Sequence, residues 1–223
     1  MSQRVPIEPE PSRWTMPDPR SPALDEIVGY GADLDAGTLL DAYRSGLFPM
    51  RVGPDKVLAW FSPDPRSVIP LGGLHISRTL KRSLRDFEIR IDTDFAGVMR
   101  ACAENRDGGN WIDDDFVSAY EHLFELGWAH SIEVWQGNDL VGGLYGVSIG
   151  GLFAGESMFH RVTDASKAAM VAAEERLRVG GGSLFDVQWS TPHLESMGVV
   201  EMDRDHYLLS LESAIAAPVV YWE

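Results

Sequence analysis

One carboxylate, Glu156, constrains this chain more than any other residue. Residues 142–159 read GGLYGVSIGGLFAGESMF, a run that is apolar and glycine-rich and carries charge only at Glu156. A second acid, Asp186, has a similar setting in Leu184-Phe185-Asp186-Val187-Gln188, whose apolar flanks are those of a buried strand. Moving two carboxylates out of water is costly unless cations or hydrogen-bond donors meet them. The sequence therefore predicts two readings of these acids. In one, a substrate supplies the partner; in the other, both are core acids bonded to backbone amides.

The rest of the chain can enclose such strands. With 223 residues, 44% of them hydrophobic and seven tryptophans, it is long enough for one sizeable core, or one core with a small appended lobe. A lone cysteine, Cys102, excludes an internal disulfide framework and any multi-cysteine zinc site, and suits a reducing compartment. The first residues, MSQRVPIEPEPSRWTMPDPRSPALDE, hold no apolar run of signal-peptide type, and no later window reaches membrane-spanning length. The expectation is a soluble cytoplasmic protein, monomeric and without a membrane partner.

A formal net charge of −15 opposes broad, sequence-independent binding of nucleic acid. The charge is unevenly spread, however. No acid occurs from residue 70 to 85, and Arg78, Lys81, Arg82 and Arg85 fall at i, i+3, i+4 and i+7. A helix capped by Ser77 would gather the four cations on one face, with Ile76, Leu80 and Leu84 forming an apolar stripe for docking. Spacing leaves two readings open, a solvated amphipathic helix or a phosphate-contacting patch. Asp113, Asp114 and Asp115 open the next helical pattern, where acids favour the helix dipole and cap free amides, and no metal site is inferred from them.

Three zones follow along the chain. Residues 1–23 are proline-rich and polar and are expected to form a flexible extension. Residues 24–62 form a small N-terminal domain with a helix over 38–45 ended by Gly46, and Ser62-Pro63-Asp64-Pro65 reads as a linker. Residues 63–223 form the main domain: a strand at 88–91, helices at 95–104 and 113–126, and strands at 130–135, 139–147 and 152–159 joined by tight turns. An alanine-rich helix over 165–178 and the strand 184–188 complete it.

A meander, a crossover helix and a further strand resemble the core order of the acyltransferase fold (GNAT-type), an α+β architecture with a mixed, largely antiparallel sheet. Enzymes of that fold hold a coenzyme pyrophosphate on a glycine-containing loop at the start of the crossover helix. Here that loop, residues 159–164, has no glycine. The acyl donor is therefore expected to be something other than coenzyme A, and no cofactor is expected.

Longer motifs sharpen the resemblance. Phe48-Pro49, Trp60-Phe61-Ser62-Pro63-Asp64-Pro65-Arg66, His75-Ile76-Ser77-Arg78, Trp111-Ile112, Ala129-His130-Ser131-Ile132-Glu133-Val134-Trp135, Gly155-Glu156-Ser157-Met158-Phe159, Ala165-Ser166-Lys167, Asp186-Val187-Gln188 and His193 occur in this order. Together with Leu140-Val141-Gly142-Gly143-Leu144-Tyr145-Gly146, the series resembles the bacterial leucyl/phenylalanyl-tRNA–protein transferases over residues 34–211.

The resemblance implies an enzyme that moves leucine or phenylalanine from aminoacyl-tRNA onto proteins with N-terminal arginine or lysine, marking them for degradation by the N-end rule. By the same resemblance Asp186 orients or polarises the attacking α-amine, directly or through Gln188, and Glu156 helps to hold the cationic recipient. Trp111, Tyr120, Phe153, Met158, Leu144 and Met50 are implied as the amino-acid pocket. Arg78, Lys81, Arg82 and Arg85 are implied to meet the acceptor arm of the tRNA, with Trp60 and Phe61 as candidates for stacking on its terminal adenosine. An activated ester needs no covalent intermediate and no metal, only placement beside a neutral amine and stabilisation of the oxyanion.

The chain departs from the family pattern at Met50, Leu144, Ala173 and Asp164, which leaves the preference between leucine and phenylalanine open. Two other functions fit part of the pattern. A serine hydrolase could use Ser157, His193 and Asp186, although the sequence around Ser157 lacks the second glycine of a nucleophile elbow. A recognition module could bind basic N-termini with the same acids and perform no chemistry.

Overall fold

The structure, a computed structural model, describes residues 5–21, 26–104 and 112–222. A small three-stranded antiparallel sheet is built from β1 (Ile27–Tyr30), β2 (Phe48–Val52) and β3 (Val57–Phe61), in the order β1-β3-β2. Helix α1 (Ala36–Arg44) lies between β1 and β2 in the chain and stops where Gly46 turns left-handed at φ +80°. A side chain there would put Cβ 2.7 Å from Leu208, so glycine serves both the turn and the packing.

The larger sheet has seven strands in the order β10-β4-β9-β8-β7-β6-β5. Its members are β4 (Arg66–Ile69), β5 (Glu88–Ile91), β6 (Ala129–Gln136), β7 (Asp139–Ile149), β8 (Leu152–His160), β9 (Leu184–Gln188) and β10 (Val200–Met202). Every neighbouring pair is antiparallel except β8 and β9, which run parallel because α5 (Ala165–Val179) carries the chain across between them. This is the α+β, acyltransferase-like order expected above. Helices α2 (Arg78–Ser83), α3 (Phe95–Ala103), α4 (Asp114–Glu125), α6 (Pro192–Glu195) and α7 (Arg204–Ile215) complete the molecule.

Two apolar clusters fill the interior. One joins α1, α3, α4 and α7 to the small sheet, and the other packs α5 with Leu80, Leu194 and Trp222. Ala165, Ala168, Ala169 and Ala173 of α5 are all buried. Small side chains let that helix lie close to the sheet: a Cβ on Gly142 of β7 would meet the Ala165 Cβ at 2.5 Å. At its start, Asp164 takes a left-handed conformation and its carboxylate accepts a hydrogen bond from Ser83 Oγ at 2.8 Å, which ties α2 to α5.

Residues 5–21 differ from the flexible extension expected of them. They lie along the body, with Ile7 N–H donating to Leu126 O (2.8 Å) and Trp128 Nε1 donating to Ile7 O (2.8 Å). Arg44 meets Glu8, Arg13 meets Asp33 and Asp35, and Arg20 meets Asp205 of α7. Proline limits the conformations the free segment has to give up, which lowers the cost of laying a polar segment across a surface. Among the described residues no helix is long and apolar enough to cross a membrane.

Candidate active site

A cavity of about 420 Å³ opens between the ends of β8 and β9, walled by Leu144, Met158, Met170, Phe185, Val187 and Leu194. Phe48 and Met50 of the small sheet close one side, and Glu156, Gln188, Trp189 and Thr191 bring polar atoms to it. Two irregularities create the opening. Along β7 and β8 Gly146 lies opposite Gly155 and Tyr145 opposite Ser157, so Glu156 is the extra residue of a β-bulge. A Cβ on Gly146 would sit 2.3 Å from the Ala154 carbonyl oxygen, which makes glycine necessary beside that bulge. Along β8 and β9 the parallel pairing runs only as far as Ala154 opposite Asp186.

The bulge turns Glu156 towards the cavity, where it is half-buried. Its Oε1 accepts from Gln188 Nε2 at 3.3 Å and its Oε2 from the Tyr120 hydroxyl at 3.4 Å. Tyr120 in turn shares a 2.5 Å hydrogen bond with the Tyr43 hydroxyl. Burial pushes the Glu156 carboxyl up to about 8; the Tyr43 hydroxyl works against that, the Asp186 charge adds to it, and Arg66 and Tyr120 oppose it. Burial also holds both tyrosines well above their ordinary range, so they remain neutral donors.

Asp186 has the opposite environment. It is buried and does not line the cavity. Arg66, also buried, grips it through Nε to Oδ1 (2.8 Å) and Nη2 to Oδ2 (2.6 Å). The Gln188 N–H donates to Oδ1 and the Tyr207 hydroxyl to Oδ2, both at 2.9 Å, which satisfies both oxygens. The Arg66 guanidinium lies 4.7 Å from the Phe48 ring centre and 4.5 Å from that of Tyr207, and gives its remaining hydrogen bond to Gly46 O. Burial disfavours its charge, but Asp186 outweighs that and holds it firmly protonated.

The cation that Asp186 requires is therefore supplied by the protein and not by a substrate. Nor do Asp186 and Gln188 simply share a strand face. Gln188 is left-handed (φ +60°), and the β4–β9 register shifts so that Ser67 lies opposite Gln188 and Val68 opposite Asp186. The twist leaves the Gln188 backbone on Asp186 and swings its side chain to Glu156. It also disposes of the hydrolase reading, since the acid such a triad needs is already bound to Arg66, Tyr207 and Gln188.

A family model for the leucyl/phenylalanyl-tRNA protein transferase matches residues 68–212, and a model for the N-terminal domain of the same protein matches residues 32–64. The chain belongs to the leucyl/phenylalanyl-tRNA protein transferase family. The leucyl/phenylalanyl-tRNA–protein transferase of Alkalilimnicola ehrlichii is 47% identical over 215 residues, covering 90% of this chain and 83% of the relative. That of Thiobacillus denitrificans is 45% identical over 196 residues, covering 86% of each. Among solved structures, a ribosomal-protein-alanine N-acetyltransferase from Brucella melitensis is 17% identical with a TM-score of 0.34, over 49% of this chain and 85% of that one. A likeness of that size carries no weight beside the topology described above.

In this transferase the residues expected in the amino-acid pocket separate into two groups. Met158, Leu144 and Met50 line the cavity. Phe153 is core instead, its ring 5.3 Å from Phe185 and 4.4 Å from Trp222. Tyr120 stands behind Glu156 and not in the cavity wall. Trp111 lies outside the described residues. Met170 and Phe185, both on the wall, give no sequence signal, because a methionine in an alanine-rich helix and a phenylalanine in a strand look like ordinary core.

The basic helix forms as the spacing predicts, with Ser77 Oγ accepting from Leu80 N–H at 3.1 Å and Leu80 buried. It is short, ending at Ser83, and Arg85 falls in a following 3-10 turn. Arg78, Lys81, Arg82 and Arg85 are all exposed. Trp60 is only 2% exposed and donates Nε1–H to Gly31 O, and Phe61 is packed between Phe48 and Trp189, so neither presents a ring for a base to stack on. The aspartates at the start of α4 act as caps and ion-pair partners: Asp113 accepts from Phe116 N–H, and Arg51 of β2 bridges Asp113 and Asp115 at 3.0 Å each. Sequence reading missed Arg66, Tyr43 and Tyr207 as site residues. A lone arginine at the head of the Ser67-Val68-Ile69 run was the available signal for the first, since a cation in a buried strand needs an acid as surely as the reverse.

Proposed function

We propose that this transferase acts in the cytoplasm and moves leucine or phenylalanine from aminoacyl-tRNA to the free α-amine of proteins with N-terminal arginine or lysine, tagging them for N-end rule degradation. The observation that carries the proposal is an apolar cavity with the Glu156–Gln188 pair on its wall. Leu144, Met158 and Met170 offer adaptable surface to either a branched aliphatic or an aromatic side chain. Such a wall distinguishes neighbouring side chains by only about 1–3 kcal/mol per methylene, which suits an enzyme with two donors.

With the donor side chain seated, its ester carbonyl stands at the cavity mouth beside Gln188. Asp186 holds the Gln188 backbone and Glu156 accepts from its amide nitrogen, which leaves the amide oxygen as the part of that side chain to meet the attacking amine. Asp186 is thereby a positioning residue, acting through Gln188. The exposed cations of α2 provide a face for phosphates of the acceptor arm, and binding should weaken with salt by a slope reflecting only a few phosphates.

Purified protein incubated with labelled Leu-tRNA or Phe-tRNA and an arginine-initiated peptide should place label on the peptide and release free tRNA. The acetylated peptide should receive none. Peptide binding with the aminoacyl ester left intact would instead establish a recognition module.

A further inference from the structure

We propose that Lys167, His193 and His160 form a phosphate subsite beside the cavity, and that it takes the phosphate on the 5′ side of the ribose that carries the donor amino acid. This rests on the transfer reading above. Three elements bring the residues together. His160 ends β8 opposite Gly142, the glycine against which Ala165 of α5 packs. Lys167 stands in the first turn of α5. His193 belongs to α6, between Thr191 and Leu194, which both line the cavity. All three are at least partly exposed, so the cluster is open to a ligand.

The chemistry of the cluster points to an anion. Burial, then the charges of Lys167 and His160, hold the His193 ring below the ordinary histidine value, and Asp164 works against them. Like charges gathered in this way repel one another until an anion enters between them. Asp164 does not fill that place: its Oδ2 accepts from Ser83 Oγ at 2.8 Å, and its Oδ1 lies 4.0 Å from Lys167 Nζ, beyond a hydrogen bond. His193 Nε2 is buried with no hydrogen-bond partner among the described residues. Buried polar atoms are satisfied as a rule, and one left over within a cationic cluster calls for an acceptor. A phosphate supplies one, with Lys167 as the point charge and the imidazole as the directional donor. Location selects which phosphate. Thr191 and Leu194 set the cluster at the rim of the cavity, and the Ser83–Asp164 bond sets it against α2. A nucleotide whose aminoacyl group fills the cavity and whose chain runs towards the α2 cations passes Lys167 and His193 first.

Two stable, amide-linked phenylalanyl adenosines, one with a 5′-phosphate and one without, test the subsite, their binding being read by calorimetry and by inhibition of transfer from Phe-tRNA. Wild-type protein should bind the phosphorylated compound about tenfold more tightly. Lys167→Met, which keeps the stem, and His193→Leu should shrink that ratio to about twofold or less and leave the affinity of the phosphate-free compound unchanged. Asp164→Asn keeps an acceptor for Ser83 and removes a charge, so it should raise the ratio by about threefold. Arg78→Ala with Arg82→Ala should leave the ratio alone, which separates a local contact from the general field of α2. A wild-type ratio near one, equal losses for both compounds in Lys167→Met and His193→Leu, or a ratio that Asp164→Asn fails to raise would overturn the subsite. Wild-type protein that transfers nothing from Phe-tRNA would overturn the transfer reading itself, while calorimetry of the two compounds would still decide the phosphate contact.

Discussion

Asp186 and Glu156 stand on adjacent strands, yet their surroundings make them different chemical objects. Asp186 meets a buried guanidinium, a phenol and a backbone amide, all within hydrogen-bond distance, and is sealed from the cavity. Glu156 accepts from the Tyr120 phenol and the Gln188 amide at 3.3–3.4 Å, has the Tyr43 hydroxyl close by, and faces the cavity. A carboxylate with a full set of strong donors is a fixed anion and serves as scaffold. One with few, weak, neutral donors keeps its proton near neutrality and can exchange it. The contrast bears on the two routes that resemblance left open for Asp186: an acid that does not line the cavity has Gln188, whose N–H it accepts, as its way to the chemistry.

The contrast is most exposed to test at the ion pair. Arg66→Ala should destabilise the fold by about 3–5 kcal/mol, because it leaves Asp186 charged and buried without its counter-ion. Denaturant unfolding measures this directly. A loss under about 1 kcal/mol would mean that Asp186 is far better solvated than its burial indicates.

Next in size is a pH effect on stability at Glu156. Its folded value of about 8 lies above the ordinary carboxyl value, so the folded state binds the proton more tightly than the unfolded chain does. Wild-type stability should therefore fall as pH rises from about 4.5 to 8 and then level off. Glu156→Gln removes that dependence and should gain on wild type across the same window, by on the order of 2 kcal/mol. Melting temperatures of both proteins at pH 5, 7 and 9 would show the gap opening; parallel curves would return Glu156 to the scaffold class.

A finer comparison removes one phenol from each acid. Tyr207→Phe, which removes a 2.9 Å hydrogen bond to Asp186, should cost about 1–2 kcal/mol of stability in denaturant unfolding, whereas Tyr120→Phe, which removes a 3.4 Å one to Glu156, should cost less. Smallest of all, Arg78→Ala with Arg82→Ala should change stability by no more than about 0.5 kcal/mol. The salt slope of aminoacyl-tRNA binding should become shallower by about one for each phosphate that an arginine no longer neutralises.

Much of the fold was legible because its signals are local. The strands 88–91 and 184–188 appear with the expected bounds, and α3, α4 and α5 end within two residues of expectation, since caps and apolar periodicity mark them. β4 was not legible: Pro65 and Pro70 bracket four residues and make them look like part of a linker. The placement of the acids was hidden for a different reason. Isolation of Glu156 and Asp186 in apolar sequence announced that each needed a partner, but Arg66 is 120 residues from Asp186 and Tyr120 is 36 from Glu156. A bulge that skips one residue, and a left-handed Gln188, leave no periodic trace in the sequence, and together they decide which acid faces the cavity.

The Arg66 guanidinium touches Gly46 and Phe48 on the N-terminal side of the chain, Asp186 at the end of β9 and Tyr207 on α7. A chimera that exchanged residues up to 62 between relatives would keep the arginine from one parent and take the surfaces that cradle it from the other. The proline-rich stretch at 62–65 looks like a natural place to cut, but the seam that matters for recombination is drawn around one side chain. Exchanges should survive when the glycine and phenylalanine that meet Arg66 travel with it, whatever else differs between the parents.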